Sequence, residues 1–186
     1  LTLGQLSPQA TPLAGSGPLP LPRGNFERSR SAVQAWWKRT FGPSVPAPVL
    51  DNGSGLSRDE RITPEALALL LRHAARHPKA EAFVGSLAVA GVNGTARRYA
   101  ASERSPVYGN ALLKTGTLRD VSGVAGYVNA VNGTRYVVVA FVNHPNAPAA
   151  RTALEALVEW TARLPHCRLP PAPLRARGPH FKPRRG

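Results

Sequence analysis

Apolar residues recur at helical spacing between Glu27 and Thr40, where Val33, Trp36, Trp37 and then Phe41 share one stripe. Gly42-Pro43 stops that run, and Pro43 to Pro48 forms a second breaker cluster. Val49-Leu50 is long enough only for a short strand, and Asp51-Asn52-Gly53-Ser54-Gly55 must turn. A second helix opens at Thr63, an N-cap residue followed by Pro64 at the first helical position and Glu65 at the positive end of the dipole. Its buried face is Leu67, Leu70, Leu71 and Ala74, and Pro78 ends it near His77. A short helical or irregular piece follows around Ala80 to Leu87.

The last third switches to strand spacing. Ala111-Leu112-Leu113 leads into Lys114-Thr115-Gly116-Thr117, and Val121 to Val131 reads as a strand broken by small residues. Val131-Asn132-Gly133-Thr134 predicts a two-residue type I′ hairpin, after which Arg135 to Asn143 returns as a strand. Val137 to Val142 is apolar on both faces, which predicts an interior position in a sheet covered by helices on both sides. A final helix is expected from about Pro148 to Leu164, with Leu154, Leu157, Val158 and Thr161 on its inner face and Pro165 at its end. The predicted class is α/β in the α+β sense: helices, three antiparallel strands and a terminal helix, with no internal repeat.

Composition adds boundaries. The chain has 186 residues, one domain's worth, and 42% of them are hydrophobic, enough for a core. It contains no methionine and starts at Leu1, the mark expected of a fragment or a processed product. Ser7 to Gly24 is rich in Pro, Gly and Ser, so residues 1–25 read as a linker or loop ahead of a domain at 26–164. The net charge is +14, which favours anionic partners. Arg168, Arg175, Arg177, Lys182, Arg184 and Arg185 all fall in the Pro-rich stretch 165–186, which has no acid and reads as a solvated, disordered tail. With aromatics at 6% and none interleaved with basic residues, specific nucleic-acid recognition is not expected, although a non-catalytic domain binding an anionic polymer (cell wall or nucleic acid) stays open as an alternative. Cys167 is the single cysteine, so neither an intrachain disulfide nor a cysteine zinc cluster can form. The longest apolar run, Tyr136 to Val142, is far short of the roughly 18 residues of a transmembrane helix.

Two segments can carry chemistry. On a strand, Lys114 supplies fixed positive potential for an anionic terminus, and the hydroxyls of Thr115 and Thr117 can hydrogen-bond it. Gly116 lets a ligand backbone lie against the strand, and the Thr117 amide can form half of an oxyanion hole. Asp51 to Arg58 is a Gly-rich loop presenting Ser54 and Leu56; it is not a Gly-x-Ser-x-Gly nucleophile elbow. His73 and His77 share a helix face at i, i+4, but no acidic or third ligand accompanies them, so no metal and no cofactor is expected.

The ordered series Asp51-Asn52-Gly53-Ser54-Gly55-Leu56-Ser57-Arg58, Ile62-Thr63-Pro64, Ser86 to Thr95, Leu113-Lys114-Thr115-Gly116-Thr117-Leu118 and Gly123 to Val128 resembles the D-alanyl-D-alanine carboxypeptidase/endopeptidase family of penicillin-binding proteins. The resemblance implies an antiparallel sheet sandwiched between helices, the carboxy-terminal portion of a penicillin-binding/β-lactamase-like transpeptidase domain. It implies a serine acyltransferase acting through an acyl-enzyme on peptidoglycan stem peptides ending in D-Ala-D-Ala, trapped by β-lactams, and a periplasmic or extracytoplasmic setting. Lys114, Thr115, Gly116 and Thr117 carry over as substrate-binding residues, with Ser54 and Leu56 on a loop approaching the cleft. The family's other motifs do not carry over. No serine here is followed by Lys three residues later or by Asn two residues later, and Tyr108-Gly109-Asn110 and Tyr127-Val128-Asn129 imitate a Tyr-x-Asn motif only by coincidence. The nucleophile and its base are therefore expected upstream of Leu1, and the chain alone is expected to be inactive. A β-lactamase-related fragment is the neighbouring alternative; the Asn52-to-Arg58 loop favours the carboxypeptidase side.

Overall fold

The computed structural model describes residues 25–165. The expected linker before Asn25, the basic tail beyond Pro165 and Cys167 lie outside the described residues.

Helix α1 spans Phe26–Phe41. The Asn25 side chain accepts from Arg28 N–H at 2.8 Å, and Gly42 closes the other end at φ +84° with its N–H on Lys38 O. Trp37 is the helix's one fully buried residue. Its indole donates to Val45 O at 3.3 Å, and its ring lies 4.6 Å from that of Phe41. Helix α2, Pro64–Ala74, starts as its sequence signals predict, with Thr63 Oγ1 accepting from Ala66 N–H at 3.1 Å. It stops three residues before His77. There Arg76 N–H and His77 N–H bond to the carbonyls three residues back, a tighter turn that carries the chain to Pro78. A short helix α3 occupies Ala80–Gly85.

The sheet has four antiparallel strands in the order β1-β2-β3-β4: Ala88–Val89, Ala111–Leu118, Val121–Asn129 and Arg135–Asn143. β1 has only two residues and forms no alternating pattern. Period-2 alternation assigns the two faces. Ala111, Leu113, Thr115, Thr117, Ser122, Val124, Val128 and Val138 share one face, by register. Helix α4, Arg151–Ala162, covers it with Leu154, Val158 and Ala162, and a 3₁₀ segment, Gly94–Tyr99, adds Ala96 and Tyr99. Fully buried Leu113, Val124, Val128 and Val158 each contribute on the order of 1.5–3 kcal/mol here. The opposite face carries Tyr127, whose hydroxyl donates to Leu71 O of α2 at 2.7 Å. Helices thus cover both faces.

Three expectations are corrected. Among the described residues β4 is an edge strand rather than an interior one, and Val138 is its one buried residue. Its apolar pattern reports two covered faces but is blind to whether a strand pairs along its edge. The β3–β4 connection is not a two-residue type I′ turn, because Gly133 has positive φ (+76°) and Asn132 does not. Gly133 N–H bonds to Ala130 O and Ala130 N–H to Thr134 O, so the loop is Val131-Asn132-Gly133 with a left-handed glycine at its end. Asn132 is held there by its side chain, which accepts from Thr134 N–H and donates to Tyr136 Oη. Finally, the last helix is shorter than Pro148 to Leu164. A separate 3₁₀ turn, Ala147–Ala150, contains Pro148 and precedes α4.

Candidate active site

Lys114 to Thr117 lies where β2 loses a neighbour. β1 pairs with β2 only at Leu112 and Leu113, so from Lys114 onward one edge of β2 is open. Ala90 N–H donates to Ala111 O across the β1 side at 2.9 Å. Backbone groups alternate along a strand, so the N–H and C=O of Thr115 and Thr117 point to that same side, where no strand pairs with them. The Lys114 amine folds over this edge and donates to Thr115 O at 2.5 Å. Lys114, Gly116 and Thr117 are exposed. A Cβ placed on Gly116 would meet nothing within 4 Å.

The two threonines part company. Thr117 is exposed, whereas Thr115 is 7% exposed and its hydroxyl donates to Thr95 Oγ1 at 2.6 Å. The sequence reading set both hydroxyls on the ligand; the Thr115 hydroxyl instead ties β2 to the Gly94–Tyr99 segment.

The Asp51 to Arg58 loop is shaped by its own side chains. Asn52 Oδ1 accepts from Ser54 N–H, Ser54 Oγ from Leu56 N–H and Ser57 Oγ from Asp59 N–H. One guanidinium nitrogen of Arg58, Nη2, then reaches both carboxylate oxygens of Asp120, in the two-residue turn joining β2 to β3. That pair brings the loop beside the end of β2. Between them is an open groove of about 790 Å³ whose lining includes Gly55, Ser57, Arg58, Leu118, Asp120 and His144. Ser54 and Leu56 flank the lining residues without joining them, and Leu56 is 71% exposed.

Sequence reasoning missed Asp120 as the partner of the loop. Asp120 is 62 residues from Arg58, and no local spacing announces the pair. The Tyr-x-Asn imitations resolve into packing: Tyr127 is buried against Leu71, and the Tyr108 ring crowds Gly91 so closely that a Cβ there would lie 2.3 Å from it. Among the described residues no three His, Cys, Asp or Glu side chains converge as metal ligands, and no helix is long and apolar enough to cross a membrane.

The family model described as D-Ala-D-Ala carboxypeptidase 3 (S13) matches residues 23–164, and the chain belongs to that family. It is 30% identical over 103 residues to the D-alanyl-D-alanine carboxypeptidase DacB of Haemophilus influenzae, covering 55% of this chain and 21% of that one. It is 32% identical over 123 residues to carboxypeptidase DacB of Mycolicibacterium smegmatis, covering 64% and 26%. The chain thus spans about a quarter or less of the length of these relatives. The fold matches penicillin binding protein 4 (dacB) of H. influenzae in complex with a β-lactam, at a TM-score of 0.66 and 23% identity, over 76% of this chain and 35% of that one.

Proposed function

We propose that this chain forms one wall of the cleft of a serine-type D-Ala-D-Ala carboxypeptidase acting on peptidoglycan stem peptides, with the nucleophile and its base on polypeptide upstream of Leu1. The observation that carries the reading is the open β2 edge at Lys114–Thr117, with an exposed glycine at its centre. An extended peptide ending in D-Ala-D-Ala pairs with the main-chain groups of Thr115 and Thr117 as an added strand. The Thr117 hydroxyl hydrogen-bonds its carboxylate, Lys114 on the opposite face of β2 supplies positive potential, and the Thr117 N–H stands where an oxyanion forms during acyl transfer. Thr115 contributes its main chain, while its hydroxyl props the strand against Thr95. Ser54 and Leu56 belong to a loop held at the cleft's end by Arg58 and Asp120. The whole protein works outside the cytoplasm, where peptidoglycan is, and β-lactams acylate it.

The reading is tested by labelling with fluorescent penicillin. The 186-residue chain alone stays unlabelled, because it has no Ser-x-x-Lys. Joined to the polypeptide encoded immediately upstream it is labelled, and Lys114→Ala slows that labelling at least 100-fold while the fold persists. A covalent adduct on the chain alone, or labelling indifferent to Lys114→Ala, would overturn the proposal.

A further inference from the structure

Three Asn-Gly pairs occur in the chain: Asn52-Gly53, Asn93-Gly94 and Asn132-Gly133, each followed by Ser or Thr. Asparagine is chemically labile before glycine, because no Cβ shields the glycine amide from the asparagine side-chain carbonyl. The three local sequences are nearly the same, so a difference in reactivity between them comes from the fold. The reaction needs a base for the glycine N–H, a donor for the oxyanion that forms on the side-chain carbonyl, and a nitrogen free to leave.

The fold treats the three pairs differently. Val49 and Arg61 exchange backbone hydrogen bonds of 2.8 and 3.0 Å and close the intervening loop, which brings Glu60 opposite Gly53. There the Gly53 N–H donates to Glu60 Oε1 at 3.3 Å. Asn52 Oδ1 accepts from Ser54 N–H at 3.0 Å, a turn that folds the side-chain carbonyl back over the Gly53 amide. Asn52 Nδ2 donates to the Asp51 carboxylate at 2.9 Å. Asn52, Gly53 and Ser54 are all exposed, so water reaches them. Asn132 makes the same bond to Thr134 N–H, but Gly133 N–H is tied to Ala130 O, which is no base, and Asn132 Nδ2 is held by Tyr136 Oη and Pro165 O. Asn93 Oδ1 is turned away onto Val89 N–H. Of the three pairs, Asn52-Gly53 is the one with a carboxylate on the attacking N–H.

We propose that Asn52 is a self-modification site, converting through a cyclic imide to aspartate and isoaspartate with Glu60 as the base. The Gly53 nitrogen forms a bond to Asn52 Cγ as its proton passes to Glu60. Ser54 N–H holds the oxyanion of the tetrahedral intermediate. The Cγ–Nδ2 bond then breaks, Glu60 returns the proton to the departing nitrogen, and ammonia leaves. Water opens the imide at either carbonyl. The sum is one asparagine and one water giving one aspartate or isoaspartate and one ammonia, with no change of oxidation state. The product carries a new negative charge beside Asp51. Its isoaspartate form also lengthens the backbone by one methylene and removes the bond to Ser54 N–H. The altered loop borders the groove where Arg58 meets Asp120, so the loop changes charge and shape as the protein ages. This chemistry is independent of the peptide cleft.

The test is incubation of the 186-residue chain in neutral buffer, with peptide mass spectrometry following the amide-to-acid mass gain at each pair. In the folded chain Asn52 is expected to convert at least fivefold faster than Asn93 and Asn132, giving both aspartate and isoaspartate. In concentrated urea the three rates should agree within twofold. Glu60→Gln, which can keep the hydrogen bond but cannot take the proton, should slow Asn52 at least fivefold and leave the other two pairs unchanged. An unchanged urea midpoint for that variant guards against mistaking a folding defect for a lost base. Equal rates at the three pairs in the folded chain, or an Asn52 rate indifferent to Glu60→Gln, would sink the proposal. So would a fivefold lead of Asn52 that persists in urea, since its cause would then be the sequence and not the fold.

Discussion

Gly116 and Gly126 lie three strand positions apart in the same β2–β3 hairpin, yet adding one methyl group should have opposite consequences. A Cβ on Gly126 would sit 2.1 Å from Leu112 O and 3.0 Å from Leu113 Cα. Both obstacles are backbone, so no rotamer change relieves them, and the two strands must separate by roughly an ångström where β2 enters the candidate site. Overpacking of this kind costs on the order of 3 kcal/mol or more. Gly116 has no atom within 4 Å of its Cβ position, and its φ is outside the left-handed region. Gly116→Ala should therefore leave stability unchanged or raise it by about 0.5 kcal/mol, through the lower entropy of the unfolded chain. The same methyl would stand where the ligand backbone must lie, and binding of N-acetyl-D-alanyl-D-alanine should drop at least tenfold. Urea unfolding followed by tryptophan fluorescence measures the first quantity, and NMR titration measures the second. A Gly116→Ala protein that is destabilised like Gly126→Ala would show that Gly116 is packed. One that is stable and binds normally would show that no ligand lies against the strand.

Other consequences are simpler. Burial raises the Tyr127 pKa above its ordinary value of 10.0, against the weaker opposing pull of Arg135. The neutral phenol is thus favoured in the fold, its contribution is fully present below pH 10, and it is lost as pH rises through the folded pKa. Tyr127→Phe, which leaves Leu71 O with Ala75 N–H as its remaining donor, should cost about 1 kcal/mol at neutral pH and flatten part of the alkaline fall in Tm. Trp37→Ala removes a side chain only 1% exposed and should cost about 3–5 kcal/mol in the same urea experiment. Asp120→Asn breaks an ion pair whose side chains are 55% and 38% exposed, so stability should change by less than about 1 kcal/mol. Hydrogen exchange at Gly53 to Arg58 should nonetheless quicken as the loop comes free; unchanged exchange would mean that Asp120 does not hold it.

What the sequence made legible was local. Asn132-Gly133 marked the right place for a turn but the wrong type, because the choice lies in hydrogen bonds from the Asn132 side chain to Thr134 and Tyr136. Thr63-Pro64 marked a helix start because cap and first turn are neighbours in the chain. β4 ran from Arg135 to Asn143 as expected, since burial on two faces leaves a continuous apolar run. Its edge position left no trace, because pairing is a property of the backbone. β1 escaped notice because two residues make no period. Lys114 to Thr117 stood out as a motif, but the inward turn of the Thr115 hydroxyl depends on Thr95, 20 residues away.

The central claim is that the free edge of β2 from Lys114 to Thr117 receives a peptide. A crystal structure of the chain with N-acetyl-D-alanyl-D-alanine tests it most directly. The account predicts ligand density extended along that edge, main-chain hydrogen bonds to Thr115 and Thr117, and the terminal carboxylate at Thr117. Density elsewhere on the molecule, or a β2 edge already covered by the protein's own chain, would contradict it.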